Sequence, residues 1–524
     1  MLFRSKIVSI IGSLTLVSRI LGYVRDLLVA RFLGAGLISD AFFVSFKLPN
    51  LFRRLFAEGS LNSAFIPVVS GIQSKFGKKK SDEFFSTIFS LLLSFLFILL
   101  IICEIFMPMI IKLIAPGFNE NPEKFLLSVD LARLTFPFVV FVCLTSLVGG
   151  YLNTLGKFAA MAVTPIILNL TMIFTLIFFF SDENQIYLAK YLSFSISFAG
   201  LLQIVWIIIH LRNNDSSLNL KLPNIKFLTK PSPEIKKFFI LLSPAIIGNG
   251  AYQLNLLIDM ILASTLPDGS ISFLYYADRV NQLPLGVLGI AISTALLPIL
   301  SKQVKQNKKK EANQSISKAI KFGIFFAIPA FFGILFLSDE IIKLLFFRGE
   351  FDISDVSLTA KALVALSFGL PAFILIKILV VPFFANENTK TPIRISLFCM
   401  LINLTLNLIL IGKFLHVGLA IATSISAWVN VAILSYFLTF KEKYSFNTSI
   451  LTLLIKVIIS SISMGIVLYL FMEKNILSFV GIDILSNNIL LLLSILLGTI
   501  TYFLTSYFLG IEKLYDGKWN QKSG

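Results

Sequence analysis

Asp40-Ala-Phe-Phe-Val-Ser-Phe-Lys47-Leu-Pro49-Asn50-Leu-Phe-Arg53-Arg54-Leu-Phe-Ala-Glu58-Gly59 decides how this chain is read. It is a charged segment set inside a protein otherwise suited to lipid. A charge at the centre of a membrane helix costs roughly 2.5–3.5 kcal/mol on insertion scales. Several such charges are tolerable in one span only if they face a wet or anion-filled cavity. The segment therefore marks what the protein handles.

The rest of the composition fits that reading. Of 524 residues, 56% are hydrophobic and only 14% charged, with a mean hydropathy of +0.88. Soluble domains run nearer ~45–50% apolar and ~25% charged. The class is an all-α polytopic membrane protein. A net charge of +17 would suggest nucleic acid in a soluble protein. Here the charge sits in loops, where it sets orientation, and no nucleic acid is implied. Cys103, Cys143 and Cys399 lie far apart in apolar runs and read as reduced packing residues. The N-terminus opens with Arg4 and Lys6 but shows no cleavage site, so it reads as an uncleaved first helix.

Apolar runs of about 20 residues mark transmembrane helices. About fourteen occur, beginning near Ile7, Leu37, Phe84, Phe125, Phe158, Ile186, Ile235, Ile271, Ala319, Val356, Ile393, Gly418, Ile450 and Asn488. The first, second and eighth are the least apolar. Basic clusters alternate with neutral or acidic loops. The basic set includes Lys78-Lys79-Lys80, Lys308-Lys309-Lys310 and Lys441/Lys443; the other includes Asn119 to Glu123 and Pro267-Asp268-Gly269. This places both termini in the cytoplasm.

An internal repeat is visible. Ala64-Phe-Ile-Pro67-Val-Val-Ser70 resembles Ala295-Leu-Leu-Pro298-Ile-Leu-Ser301, and Asn169-Leu-Thr171 matches Asn403-Leu-Thr405. The offsets, about 231 to 234 residues, agree. Each offset spans six helices, an even number, so both copies keep one orientation. The expected architecture is two six-helix lobes related by a pseudo-twofold along the membrane normal, plus two C-terminal helices. The boundaries are 1–212 for the N-terminal lobe, 213–233 for a cytoplasmic linker, 234–441 for the C-terminal lobe, and 442–524 for helices 13 and 14 with the tail.

Charge gathers in three spans. Span one carries Arg19, Arg25, Asp26 and Arg31. In span two Asp40, Lys47 and Arg54 are spaced by sevens and share one face of a straight helix. Pro49 removes a backbone bond, is expected to kink the span, and leaves carbonyls free inside a cavity. Span eight carries Tyr275-Tyr276-Ala-Asp278-Arg279. Guanidinium matches phosphate geometry in a bidentate way, so Arg19, Arg25, Arg53 and Arg279 suit a diphosphate, with Lys47 and Arg54 beside them. Asp40, Glu58 and Asp278 are candidate salt-bridge partners; Lys361 or Lys377 could meet Glu58 as a gate. The alternative is that these charges only pair with one another and glue helices. A fainter set, Asp259, Asn403, Asn407 and Thr423, offers oxygens to a hard cation such as sodium, or simply bonds helices together. No nucleotide loop, zinc spacing or nucleophile arrangement is present, which argues against an enzyme.

The stretch from Ser39 to Gly59 resembles the signature of the MurJ (MviN) lipid II flippases. Ser18-Arg19-Ile-Leu-Gly22-Tyr-Val-Arg25-Asp26 is similar to that family's first helix, and Tyr275-Tyr276-Ala277-Asp278-Arg279 with Gly286-Val-Leu-Gly289 to its eighth. Ala115-Pro116-Gly117-Phe118 also fits. The resemblance covers essentially the whole chain. It implies the multidrug/oligosaccharidyl-lipid/polysaccharide (MOP) exporter fold and movement of undecaprenyl-diphosphate-linked peptidoglycan precursor, lipid II, from the cytoplasmic to the periplasmic leaflet of the bacterial inner membrane. It implies that Arg19, Arg25, Arg53 and Arg279 line the cavity and meet the diphosphate, with Asp40 also important. It implies a lipid-tail groove at the extra helices, and membrane lipids and other cell-wall synthesis proteins as partners. No organic cofactor is implied. Some members have a sodium site matching Asp259, Asn403, Asn407 and Thr423, with a carboxylate at the position of Asn407. Its loss here leaves sodium, protons and membrane potential as competing energy sources. An exporter of another lipid-linked oligosaccharide is the alternative; a scaffold without transport would leave the intramembrane charges without a purpose beyond packing.

Overall fold

The computed structural model describes residues 2–54, 60–180, 184–213, 232–442, 444, 449–472 and 487–511. Among these the secondary structure is entirely helical. Among the described residues ten helices are long and apolar enough to cross a membrane, so the chain is a multi-pass membrane protein. In lipid every backbone N–H and C=O must be satisfied within the segment, which is why helices are the form these apolar runs take.

The chain divides into two compact units, residues 1–272 with 348–351, and residues 273–347 with 352–524. The first unit contains α1 (Leu2–Leu33), α2 (Leu37–Phe52), α3 (Leu61–Ile105), α4 (Met107–Ile114), α5 (Pro122–Thr135), α6 (Phe138–Thr154), α7 (Ala159–Phe178), α8 (Gln185–Arg212) and α9 (Pro233–Ser264). Within it α1 packs on α7, α2 on α5, α3 on α6 and α9, and α8 on α5, α6 and α7. α10 (Ser270–Pro284) begins at the edge of this unit and runs into the second. The second unit continues with α11 (Ile290–Lys305), α12 (Lys309–Phe346), α13 (Ile353–Leu379), α14 (Val381–Ala385), α15 (Lys390–Phe440), α16 (Ser449–Met472) and α17 (Asn487–Phe508). There α13 packs on α12 and α15, and α16 on α12 and α17.

Two long helices are broken where the sequence reads separate spans. α3 departs from helical geometry at Gly77, and α15 at Leu415, whose φ is positive. α2, at 16 residues, is too short to count among these ten. Hydropathy does detect the eighth span, because Ser270–Lys305 continues through a π-turn at Leu285–Gly289 into an apolar segment. The linker expected at 213–233 lies almost wholly outside the described residues, as does Glu58.

Prolines interrupt several helices, and neighbours repair the damage. Pro49 cannot donate to the Ser45 carbonyl four residues back. The sequence reading left that carbonyl free in a cavity. Instead Thr135 Oγ1 on α5 lies 3.0 Å from it as donor. Pro329 in α12 likewise frees the Phe325 carbonyl, and Tyr502 Oη from α17 donates to it at 2.6 Å. These bonds hold helices together where an unmet carbonyl would otherwise be costly.

The turn Arg348–Phe351 belongs to the first unit although it lies between α12 and α13. Glu350 N donates to Arg31 O at the end of α1, 2.9 Å away. Gly349 has a φ of 63°, and a Cβ there would run into the same Arg31 carbonyl, so glycine fits both the turn and the contact.

Candidate functional site

The first unit holds two buried ionic centres. One is built on α1 and α7. Arg25 is 6% exposed. Its Nε and Nη2 donate to Asp26 Oδ1 at 3.0 and 2.7 Å, and its Nη1 donates to Asn169 Oδ1 at 3.0 Å. The guanidinium carbon lies 5.7 Å from the Phe46 ring centroid. Asn169 Nδ2 in turn donates to the Ser18 carbonyl at 2.9 Å, across the α1–α7 contact. The sequence reading used Asn169 only to mark the repeat; the structure makes it the residue that orients Arg25. The cue was an amide at helical spacing in an apolar span, where a polar side chain needs a partner.

The other centre lies on Asp40, which is 1% exposed. Its Oδ1 accepts Ser272 N at 2.9 Å and Ser272 Oγ at 2.7 Å. Its Oδ2 accepts Gly269 N at 2.8 Å and Lys124 Nζ at 2.9 Å. Lys124 Nζ also meets Asp268 Oδ1 at 2.7 Å and sits 4.2 Å from the Phe118 ring centroid. The carboxylate thus caps the N-terminal turn of α10 from outside. An anion at a helix N-terminus satisfies orphan N–H groups and the helix dipole together.

Local sequence explains how Lys124 reaches this point. Asn121 caps α5 by accepting Lys124 N at 3.2 Å, and Pro122 is preset at the first helical position. Ala115-Pro116-Gly117-Phe118 forms a tight turn whose Gly117 N donates to Ser264 Oγ at the end of α9. A Cβ on Gly117 would collide with the Ser264 carbonyl. The turn can therefore press against α9 and place Phe118 beside the ammonium. Lys124 was missed because it adjoins a loop that reads as acidic. Its pairing spans 84 residues to Asp40 and 144 to Asp268, which periodicity does not reveal. Removing one partner from a buried ion pair typically costs about 3–5 kcal/mol.

The remaining first-unit residues are more open. The backbone widens into a π-turn at Arg53–Arg54 just after α2, so the seven-residue spacing from Asp40 no longer holds Arg54 to one face. Arg53 Nε donates to Asn50 Oδ1 at 3.1 Å. Lys47 is half-buried, and Arg19 and Arg54 are exposed. Asp259 on α9 accepts Asn255 Nδ2 at 3.4 Å.

In the second unit Arg279 is half-buried on α10. Its Nη2 donates to Tyr275 Oη, one turn back, at 2.8 Å, and its guanidinium lies 4.9 Å from that ring's centroid. Asp278 accepts a bond from Gln282 Nε2. Three of the proposed cation ligands meet as an amide ladder: Asn407 Nδ2 donates to Asn403 Oδ1 at 3.1 Å, and Asn403 Nδ2 to Thr423 Oγ1 at 3.4 Å. The ladder is neutral, and the oxygens of Asn403 and Thr423 already accept N–H groups.

The family model described as "Lipid II flippase MurJ" matches residues 29–489. The chain belongs to this family. The Rickettsia prowazekii (strain Madrid E) protein named "Probable lipid II flippase MurJ" is 40% identical over 98% of this chain and 99% of its own length. The protein of that name from Rhizobium tropici is 37% identical over 95% and 93%. A solved structure titled "Lipid II flippase MurJ, inward closed conformation" superposes with a TM-score of 0.79 at 29% identity, covering 95% of this chain and 98% of that one. An inward-facing MATE transporter of the MOP superfamily reaches 0.66 at 13% identity, covering 83% and 99%, a likeness of fold alone. Membership in MurJ places the chain among transporters rather than enzymes.

Proposed function

We propose that the protein moves lipid II from the cytoplasmic to the periplasmic leaflet of the inner membrane by alternating access, as a step in peptidoglycan synthesis. The observation that carries this reading is the near full-length match to MurJ proteins. The chain then crosses the membrane fourteen times: α1, α2 and α9 join the ten apolar helices, and α15 counts twice because of its break. Both termini are cytoplasmic. The lobes are 1–212 and 234–441, joined by 213–233, with α16 and α17 added in 442–524.

Arg25 and Arg279 are the principal diphosphate ligands, supported by Arg19, Arg53, Lys47 and Arg54. Arg25 is held by its neighbour Asp26 and by Asn169, so an entering diphosphate competes with that carboxylate for the guanidinium. Asp278 and Glu58 serve the resting charge balance. Asp40 does not meet the diphosphate, since two anions repel. Membrane potential or protons drive the cycle in preference to sodium, given the neutral ladder at Asn403, Asn407 and Thr423 and the single carboxylate at Asp259.

The test is complementation of a flippase-depleted host, reading lipid II accessibility at the periplasmic face. Wild type restores it. Arg25→Ala and Arg279→Ala, at normal protein levels, do not. Full function of both variants rejects the ligand assignment; build-up of a different lipid-linked oligosaccharide inside the cell rejects the substrate.

A further inference from the structure

We infer that Lys124 is a positioning residue that holds Asp40 as the cap of α10 and so keeps the outer end of α2 closed on the turn before α10 until release. This rests on the flippase reading above. Lys124 touches no substrate in this scheme; it acts through Asp40.

The geometry is specific. The ammonium bridges Asp40 and Asp268 at 2.9 and 2.7 Å. Its side chain is 4% exposed, that of Asp40 1%, and that of Asp268 50%. One face of the clasp is therefore dry and the other reaches the surface. The dry half has four donors on the two Asp40 oxygens, so it is satisfied as it stands. Ser272 Oγ also lies 3.0 Å from Ser39 Oγ, tying the turn to the residue before Asp40.

The chain joins the clasp to binding. Ser272 is capped by Asp40, and Tyr275 and Arg279 follow at three and seven residues, within the same helix. When the carboxylate lets go of Gly269 N and Ser272 N, α10 loses the anion at its N-terminus. Lys124 decides how readily that happens. Without it Asp40 keeps three donors but loses its counter-charge, and faces Asp268 with no cation between them. Arginine keeps the charge; methionine keeps the length and packing but not the charge.

The experiment uses the full chain with Cys103, Cys143 and Cys399 replaced by alanine and Ser39→Cys as reporter. Ser39 is fully buried in the closed clasp. An impermeant maleimide is applied from the periplasmic side of oriented vesicles. Adding Lys124→Met should raise the labelling rate at least about tenfold, because the closed clasp alone loses its buried ion pair. Lys124→Arg should restore most of the protection, which a purely space-filling role for the lysine would not require. Asp268→Asn, at the surface half, should raise labelling by roughly threefold and leaves the Asp40–Lys124 pair intact if Lys124→Met fails to fold. No increase in either neutralised variant overturns the inference. Lipid II transport is measured separately in the same vesicles: failure of the reporter protein to flip rejects the functional reading, while the labelling result still decides the clasp.

Discussion

The first unit stores its buried polarity as charge, and the second stores much of its own as neutral amides. Arg25–Asp26–Asn169 and Lys124–Asp40–Asp268 are ionic and fully dressed with hydrogen bonds. Asn407–Asn403–Thr423 is a ladder of uncharged groups. The magnitudes differ accordingly. Breaking a buried ion pair costs about 3–5 kcal/mol, whereas an interhelical hydrogen bond in a membrane is worth about 0.6 kcal/mol on average. The ionic centres can therefore bias a conformational equilibrium or exchange partners with an anionic headgroup. The ladder mainly holds the two arms of α15 together.

The sharpest way to break this contrast is a cycle at Arg25 and Asp26. Asp26→Ala should destabilise the protein by about 3–5 kcal/mol, because a buried guanidinium is left without its anion. Arg25→Ala should do the same and abolish flipping. The double variant Arg25→Ala/Asp26→Ala removes both charges and should regain most of the thermal stability. If it also regains transport, the pair is only glue and the diphosphate assignment falls. Recovered stability with transport still lost separates packing from binding.

Next in size are the carbonyls freed by proline. Tyr502→Phe leaves the half-buried Phe325 carbonyl without its hydroxyl donor, and should cost about 1 kcal/mol. Thr135→Val should act similarly at the Ser45 carbonyl. Denaturation midpoints in detergent check both. An unchanged midpoint in either would mean that water or a lipid headgroup repairs the gap. Because Tyr502 joins α17 to α12, its variant should also loosen the last helix, visible as faster proteolysis there.

Much of this was legible in advance for one reason: charge is so costly in lipid that its position alone is informative. Asp40, Arg25 and Arg279 stood out on that ground, as did the paired helices that carry them. Their partners did not. Lys124 adjoins an acidic-looking loop, Asn169 looked like a repeat marker, and Ser272 carried no signal of its own. Each acquires its role through contacts across tens to hundreds of residues, which no local period encodes. Pro49 signalled the lost backbone bond, but the Ser45 carbonyl is not left free, because Thr135 donates to it where α2 meets α5. The eighth span, read as among the least apolar, is detected by hydropathy because charged α10 continues through the π-turn into apolar α11.

The ladder can be turned towards the ionic type. Asn407→Asp restores a carboxylate beside Asn403 and Thr423. If those oxygens can be recruited by a cation, the variant should become more stable in sodium than in an equal concentration of a large organic cation. At a sodium concentration ten times Kd the gain is about 1.4 kcal/mol. The parent protein should show no such dependence. A parent whose melting temperature already rises with sodium would overturn the reading of the ladder as neutral glue.

The smallest effect concerns a polar cluster around one carboxylate outside the membrane helices. Asn386 and Asn388 both donate to the Glu442 carboxylate, at 3.1 and 3.3 Å, and Asn386 Nδ2 lies 3.4 Å from Tyr444 Oη. Burial pushes the Tyr444 phenol above its ordinary range; the Asn386 bond pulls it back, and the Glu442 charge pushes it further up. A phenol raised in the folded state binds its proton more tightly than in the unfolded chain. Its contribution is fully present below about pH 10, the unfolded tyrosine value, and is lost as pH rises through the folded one. Alkaline titration should therefore loosen the segment around Glu442, seen as faster hydrogen exchange at Lys441, Glu442 and Tyr444. Tyr444→Phe should remove that pH dependence while costing little at neutral pH, since its one amide contact is long. If the phenylalanine variant keeps the same alkaline transition, another group is titrating.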